Sequence, residues 1–167
     1  DLKMKQVMEN ILKYSQNNVV MTVSARKLLI EVYGAKEENT KVIPHGIHPQ
    51  VYLEPDTVKA RLGLSGKKVL TTFGLLSRGK GVEHGIEALP AIVEKHPEVV
   101  FLIVGATHPV VVQNEGEVYR NSLIAKIAEL GMEKHVIFYN RYISTDELLL
   151  FLQATDIYIA LSQDPNQ

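Results

Sequence analysis

Six consecutive apolar residues, Val99 to Val104, restrict the fold more than any other feature of the chain. A strand that is apolar at every position has no face to offer water, so other elements must cover both sides. That is the situation of an inner strand in a parallel sheet with helices on each face. The flanking segments agree. Val69–Phe73 and Val136–Tyr139 read as further strands, and Asp156–Leu161 as a last one. Between them lie helical patterns at Val82–Lys95, at 117–130 closed by Gly131, and from Ser144 through Ala154. Pro90 inside the first of these removes a hydrogen bond and predicts a bend. Ser144 and Glu147 have the spacing of a capping box. Strands alternating with helices imply crossover connections, hence an α/β fold with a Rossmann-like parallel sheet flanked by helices. The polar segment Val110–Tyr119 reads as a mobile loop.

The first third follows the same logic with weaker signals. Leu2, Met4, Val7, Met8, Ile11 and Leu12 make a helical stripe over residues 2–14. Val19–Val23 reads as a buried strand. Ser24 reads as the N-cap of a helix through Val32 that Gly34 ends, and Lys41–Ile43 as a short strand stopped by Pro44. From His45 to Pro55 the glycine and prolines predict a linker, followed by a short helix over 56–63. The chain of 167 residues therefore divides near residue 50. It opens on Asp1 rather than Met and stops at Asp164-Pro165-Asn166-Gln167, directly after an apolar strand, so the expectation is a piece cut at both ends.

Composition narrows the partners. Eighteen basic and 19 acidic side chains give a formal net charge of −1, with no basic excess for nucleic acid or an anionic membrane. No apolar run approaches the roughly 18 residues of a membrane span. Cysteine is absent, which excludes disulfides and thiolate metal sites and fits a reducing, cytoplasmic setting. Any anion site must be local.

One such site is visible. Gly74-Leu75-Leu76-Ser77-Arg78-Gly79-Lys80-Gly81 joins the strand ending at Phe73 to the helix starting at Val82. In open α/β sheets ligands bind at the carboxyl ends of strands. A helix N-terminus presents free N–H groups to a phosphate, and glycines allow close approach of the backbone. Arg78 and Lys80 add positive charge, as the departure of a nucleoside diphosphate requires. The expected phosphate-binding residues are Gly74, Arg78, Gly79, Lys80 and Gly81. A solvent-exposed turn rich in Gly, Ser and Lys is the other reading of the same residues. A triphosphate P-loop would need Ser or Thr after the Lys, where this chain has Gly81.

At this loop the chain resembles the group 1 glycosyltransferases (glycosyltransferase family 4). The similar segments are Val42-Ile43-Pro44-His45-Gly46-Ile47, Thr72–Gly81 with Ile86-Glu87-Ala88-Leu89, Phe101–Gly105, Val136-Ile137-Phe138, and Ala154–Tyr158. The resemblance covers nearly the whole chain and implies a two-domain GT-B-type architecture. Residues 1–50 would be the tail of the acceptor-binding N-terminal domain and the linker. Residues 51–167 would be an incomplete C-terminal domain for a nucleotide-diphosphate sugar. Lys80 matches the family Lys on the donor diphosphate. The family Arg falls at Leu75, and Arg78, three residues on, is the candidate replacement. Gln167 falls near the first of two family glutamates and the chain stops before the second, so this piece alone is not expected to catalyse transfer. The resemblance also implies that the nucleotide base lies against Asn140, Arg141, Tyr142 and Ile143, that His45-Gly46 lines the cleft near the sugar, and that the anomeric configuration is retained.

Other readings stay beside these. The 140–143 segment also reads as a plain strand-to-helix turn. His45 and His48 lack further ligands for a metal. His108, at the end of a strand, either faces the donor or is a loop histidine. Asp156 reads as a turn or capping residue. No metal or other cofactor is expected, nothing in the sequence identifies the acceptor, and no carboxylate pair is placed for glycoside hydrolysis. A non-catalytic nucleotide- or phosphate-binding module and a sugar-nucleotide epimerase of the same architecture are the competing functions.

Overall fold

The computed structural model describes residues 2–47 and 49–162. The chain forms two compact units, Asp1–Gln50 and Val51–Gln167. In the first, α1 (Leu2–Tyr14) precedes a two-stranded parallel sheet of β1 (Asn18–Val20) and β2 (Thr40–Val42), joined through α2 (Val23–Tyr33). The strand expected over Val19–Val23 is shorter and more open. The Thr22 hydroxyl, not that of Ser24, caps α2 by accepting from the Ala25 N–H, so strand residues cannot extend through Val23. Gly34, in the left-handed conformation, closes α2 as expected. Arg26 binds the Thr40 carbonyl at 2.9 Å and Glu37 at 3.0 Å, holding helix to strand.

The second unit is built on a four-stranded parallel sheet. Its strands are β3 (Lys68–Phe73), β4 (Val99–Val104), β5 (Val136–Tyr139) and β6 (Ile157–Tyr158), in the spatial order β5-β4-β3-β6. The chain moves outward from β3 to β5 and then returns to the far side of β3. The carboxyl edge between β3 and β6 is thus the point where strand order reverses, the usual ligand crevice of such sheets.

Strand β4 is buried along its whole length. Val99, Phe101 and Ile103 face one core with Ile86 and Leu89 of α4 (Val82–Lys95) and Leu123 and Ile127 of α6 (Val118–Glu129). Val100, Leu102 and Val104 face the other, with Leu64, Ile143 and Phe151 of α7 (Thr145–Gln153). The alternation of Cβ directions along a strand produces both faces from one apolar run. Gly85 lets α4 come down on the sheet. A Cβ there would meet Phe101 Cε1 at 2.8 Å and Leu161 Cδ1 at 2.9 Å.

Three expectations change. The segment over Val110–Tyr119 is not a loop: Pro109–Glu115 is a helix, α5, with Pro109 in its first turn and His108 as its N-cap. The last strand is only Ile157–Tyr158, because pairing with β3 covers just Leu70 and Thr71. Asp156 lies at the bend between α7 (Thr145–Gln153) and β6 but caps no helix, and its side chain has a further task. Its Oδ2 accepts from Lys59 Nζ of α3 (Pro55–Arg61) at 2.6 Å and from the Val69 N–H at 2.7 Å, and Lys68 lies 3.7 Å from Oδ1. Lys59 is buried, so this carboxylate is its compensating charge. Nearby, the buried Thr71 hydroxyl donates to Thr155 at 2.7 Å, since the Thr155 hydroxyl itself donates to the Phe151 carbonyl.

Burial alone would raise the Asp156 carboxyl, but Lys59, the Val69 N–H and Lys68 outweigh it and hold the group below its ordinary value. A native value below the unfolded one means that the folded state binds fewer protons between the two. The contribution is complete above the unfolded value of about 3.9 and is lost as pH falls through the native value. Asp156→Asn should therefore cost on the order of 2–3 kcal/mol at neutral pH, because it leaves Lys59 buried without its counter-charge. In denaturant titrations across pH, the parent and variant curves should converge in acid. A gap of constant size would contradict the assignment.

Candidate functional site

The carboxyl edge of the sheet is shaped by two glycines. Gly74 follows β3 with φ 139° and Gly105 follows β4 with φ 136°, values that other residues rarely adopt. Gly74 N–H donates to the Val104 carbonyl at 3.0 Å and Gly105 N–H to the Tyr139 carbonyl at 3.0 Å. A Cβ on Gly105 would lie 2.1 Å from the Gly74 carbonyl oxygen. Beyond this pinch the two loops run together. Leu76 N–H donates to the Ala106 carbonyl, His108 N–H donates to the Leu76 carbonyl, both at 2.9 Å, and Leu76 bridges Thr107.

The loop then makes a 3-10 turn over Arg78–Lys80. Lys80 N–H donates to the Ser77 carbonyl at 3.0 Å and Gly81 N–H to the Arg78 carbonyl at 3.2 Å. The Gly81 amide, expected at a phosphate, is engaged within the turn in this structure. Its left-handed conformation turns that amide inward to close the turn, and α4 starts from it. Gly79 has ordinary φ, and no atom lies within 4 Å of where its Cβ would be. Ser162 Oγ, beyond β6, donates to the Gly79 carbonyl at 3.3 Å.

Of the two basic side chains, only Lys80 lines a cleft. This open cleft of about 500 Å³ is bounded by Leu75, Ser77, Lys80, His108, Val110 and Val111. Arg78 points elsewhere. Its guanidinium lies 3.2 Å from Glu115 and 5.4 Å from the centre of the Tyr119 ring. Tyr119 is buried and donates to Glu83 at 2.6 Å. Burial, then the Glu83 carboxylate, push its hydroxyl well above the ordinary tyrosine value. Thr107, next to His108, is anchored from beneath: its hydroxyl donates to Glu117 at 2.6 Å and accepts from the buried Arg120.

A second cleft of about 360 Å³ lies along the same edge. Gly74, Leu75, Gly105 and Ala106 form one wall, and Arg141, Tyr142, Ile143 and Ser144 the other. Leu75 lines both clefts, so they adjoin. Arg141 is fixed over the Tyr139 ring at 4.8 Å and bonded to the Tyr139 hydroxyl and to Glu147. Those bonds, the Tyr139 one first, hold its guanidinium protonated beyond its ordinary range. The Ser144 N–H, more than Arg141, keeps Glu147 below the usual carboxylate value. Tyr142 is 85% exposed. Ile143 is buried in the core with Leu64 and Phe151 while it also lines the cleft.

Gly74, Lys80, His108, Arg141, Tyr142 and Ile143 thus come together on one edge, while Arg78, Gly79 and Gly81 shape the loop without lining either cleft. His45 and Gly46 belong to the first unit, where both are exposed. His48 and Gln167 lie outside the described residues. Gly105 and the Thr107–Arg120–Glu117 group were not foreseen, although Gly105 follows its apolar strand as Gly74 follows its own. Among the described residues no three His, Asp or Glu side chains are grouped to hold a metal ion, and no helix is long and apolar enough to cross a membrane.

Residues 56–164 match the family model for glycosyl transferases group 1. The chain belongs to this family. Spore coat protein SA of Bacillus subtilis (strain 168) is 27% identical over 109 residues, which are 65% of this chain and 27% of that protein. Among solved structures, Anabaena Alr3699/HepE in complex with UDP aligns with a TM-score of 0.74 at 22% identity, over 98% of this chain and 43% of that one. Sucrose-phosphate synthase from Thermosynechococcus elongatus aligns with a TM-score of 0.72 at 21% identity, over 97% of this chain and 39% of that one. The chain therefore spans less than half the length of each of these proteins. The Rossmann-like α/β fold expected from the sequence is the fold observed.

The glycine pinch gives a direct test. Gly105→Ala should lose roughly 3 kcal/mol or more of stability, from the strained φ and the contact with the Gly74 carbonyl. Gly79→Ala, with ordinary φ and open space, should stay within about 1 kcal/mol of the parent. Chemical denaturation of both variants checks the contrast; equal losses would contradict it.

Proposed function

We propose that the protein is a glycosyltransferase and that this chain carries its site for a nucleotide-diphosphate sugar. The observation that carries the reading is the pair of adjoining clefts beyond the carboxyl ends of β3, β4 and β5, with Lys80 in one and the 141–144 loop in the other. Family membership supports the reaction class. In this reading the diphosphate lies beside Lys80 and the base against Tyr142 and the wall of Ile143. As the bond to the sugar breaks, negative charge grows on the diphosphate, and a lysine ammonium in a walled cleft stabilises it as a point charge. Uridine nucleotides are the first candidates, since the Anabaena structures hold UDP and UDP-glucose.

The finer points rest on the resemblance. Transfer proceeds with retention, which the anomer of the product tests by NMR. No metal is required, so chelation with EDTA leaves the rate unchanged. The absence of cysteine supports a cytoplasmic location. The acceptor is bound by the other domain, so the 167 residues alone bind donor without turnover.

Calorimetric titration of the full-length protein with UDP, GDP and ADP tests the central claim. One of them should bind, and Lys80→Ala should weaken it about 10- to 100-fold, the range for a hydrogen bond to a charged group. Absence of binding by all three would remove the donor site. Product analysis then separates transfer from epimerisation.

A further inference from the structure

His108, which reads in the sequence either as facing the donor or as a loop histidine, shares the cleft of Lys80. Its Nδ1 accepts the Val110 N–H at 3.1 Å. A ring nitrogen that accepts carries no proton, so the neutral imidazole is held as the tautomer with its proton on Nε2. The backbone is fixed as well. His108 N–H is bonded to the Leu76 carbonyl, and Thr107 beside it is locked by Glu117 and Arg120. Leu75 lines the cleft without charge, and Arg78 is engaged with Glu115 and Tyr119. Lys80 is therefore the only Lys or Arg among the described residues lining this cleft. A diphosphate needs more than one donor.

We propose that His108 is a diphosphate-binding residue, its Nε2–H donating to a phosphate oxygen of the nucleoside diphosphate beside Lys80. This rests on the donor-site reading of the same cleft. The N-cap bond sets the tautomer, so one histidine both starts α5 and presents a fixed donor.

The two roles are separable by substitution. His108→Asn keeps an oxygen near the Nδ1 position, and Asn is a favoured N-cap, but it has no donor at the reach of Nε2. His108→Gln places an amide N–H near that reach and loses the cap. In the full-length protein His108→Asn should keep the parent's melting temperature and bind UDP about 10- to 100-fold more weakly. Uridine binding, followed by NMR, should be unchanged. His108→Gln should recover part of the UDP affinity despite a lower melting temperature. UDP binding by His108→Asn equal to the parent's, or loss of uridine and UDP affinity in equal proportion, overturns the assignment and leaves the donor site standing. A parent that binds none of UDP, GDP and ADP overturns the donor site and this inference together.

Discussion

The two clefts exist because Gly74 and Gly105 meet without side chains. With 2.1 Å between a notional Cβ on Gly105 and the Gly74 carbonyl oxygen, no other residue fits there unless the backbone moves. Parallel strands end side by side, and the chains leaving them are free to part. Here each glycine bends its chain, and each amide finds a neighbouring strand's carbonyl before the loops begin. The loops are then close enough to bond again at Leu76, Ala106 and His108. One wall results, with Lys80 and His108 in one cleft and Leu75 shared with the next. The chemistry sits on loops, and their hydrogen-bonded continuity with the sheet fixes its geometry.

That wall needs a rigid base. Gly85 allows α4 to approach Phe101 and Leu161 at contact distance, which fixes where its first residue, Val82, emerges. The turn Arg78–Lys80 leads directly into that helix, so its position follows from packing deeper in the core. At the other end of the sheet, Asp156 ties α3, β3 and the start of β6 through Lys59 and the Val69 amide. The amino edge carries a charge network with a structural task, and the carboxyl edge carries the clefts.

The sequence foretold elements best where a pattern was complete within itself. Val99–Val104 and Val136–Tyr139 match strand for strand, and the Ser144–Glu147 capping box opens α7 as expected. Errors arose where a distant partner decides. Helix α5 contains a Val-Val-Val run of weak helix propensity and a polar end, so its local signal resembled a loop; the His108 cap and Pro109 start it. The contacts of Arg78 are likewise invisible locally, since Glu115 lies 37 residues later and the Tyr119 ring is further still. Asp156 read as a turn or capping residue, and its pairing with Lys59 was hidden because that partner is 97 residues away. The burial of Ile143 is also set at a distance, since its neighbours Leu64 and Phe151 come from other parts of the chain.

The Arg78–Glu115 pair also shows how charge is used. An exposed ion pair of this kind contributes only about 0–1 kcal/mol, so its consequence is geometric more than energetic. It binds the 3-10 turn to α5, and the Tyr119 ring beneath Arg78 extends the contact to α6. Arg141 is treated likewise, clamped between Tyr139 and Glu147. Arg141 is thereby held as part of a cleft wall, while Arg78 braces the turn that carries Lys80. With a net charge of −1 and no basic surplus, the chain cannot draw in an anion by its overall field. Attraction must come from short-range donors at fixed positions, and the adjoining clefts place Lys80 and His108 together on a wall whose backbone is already bonded.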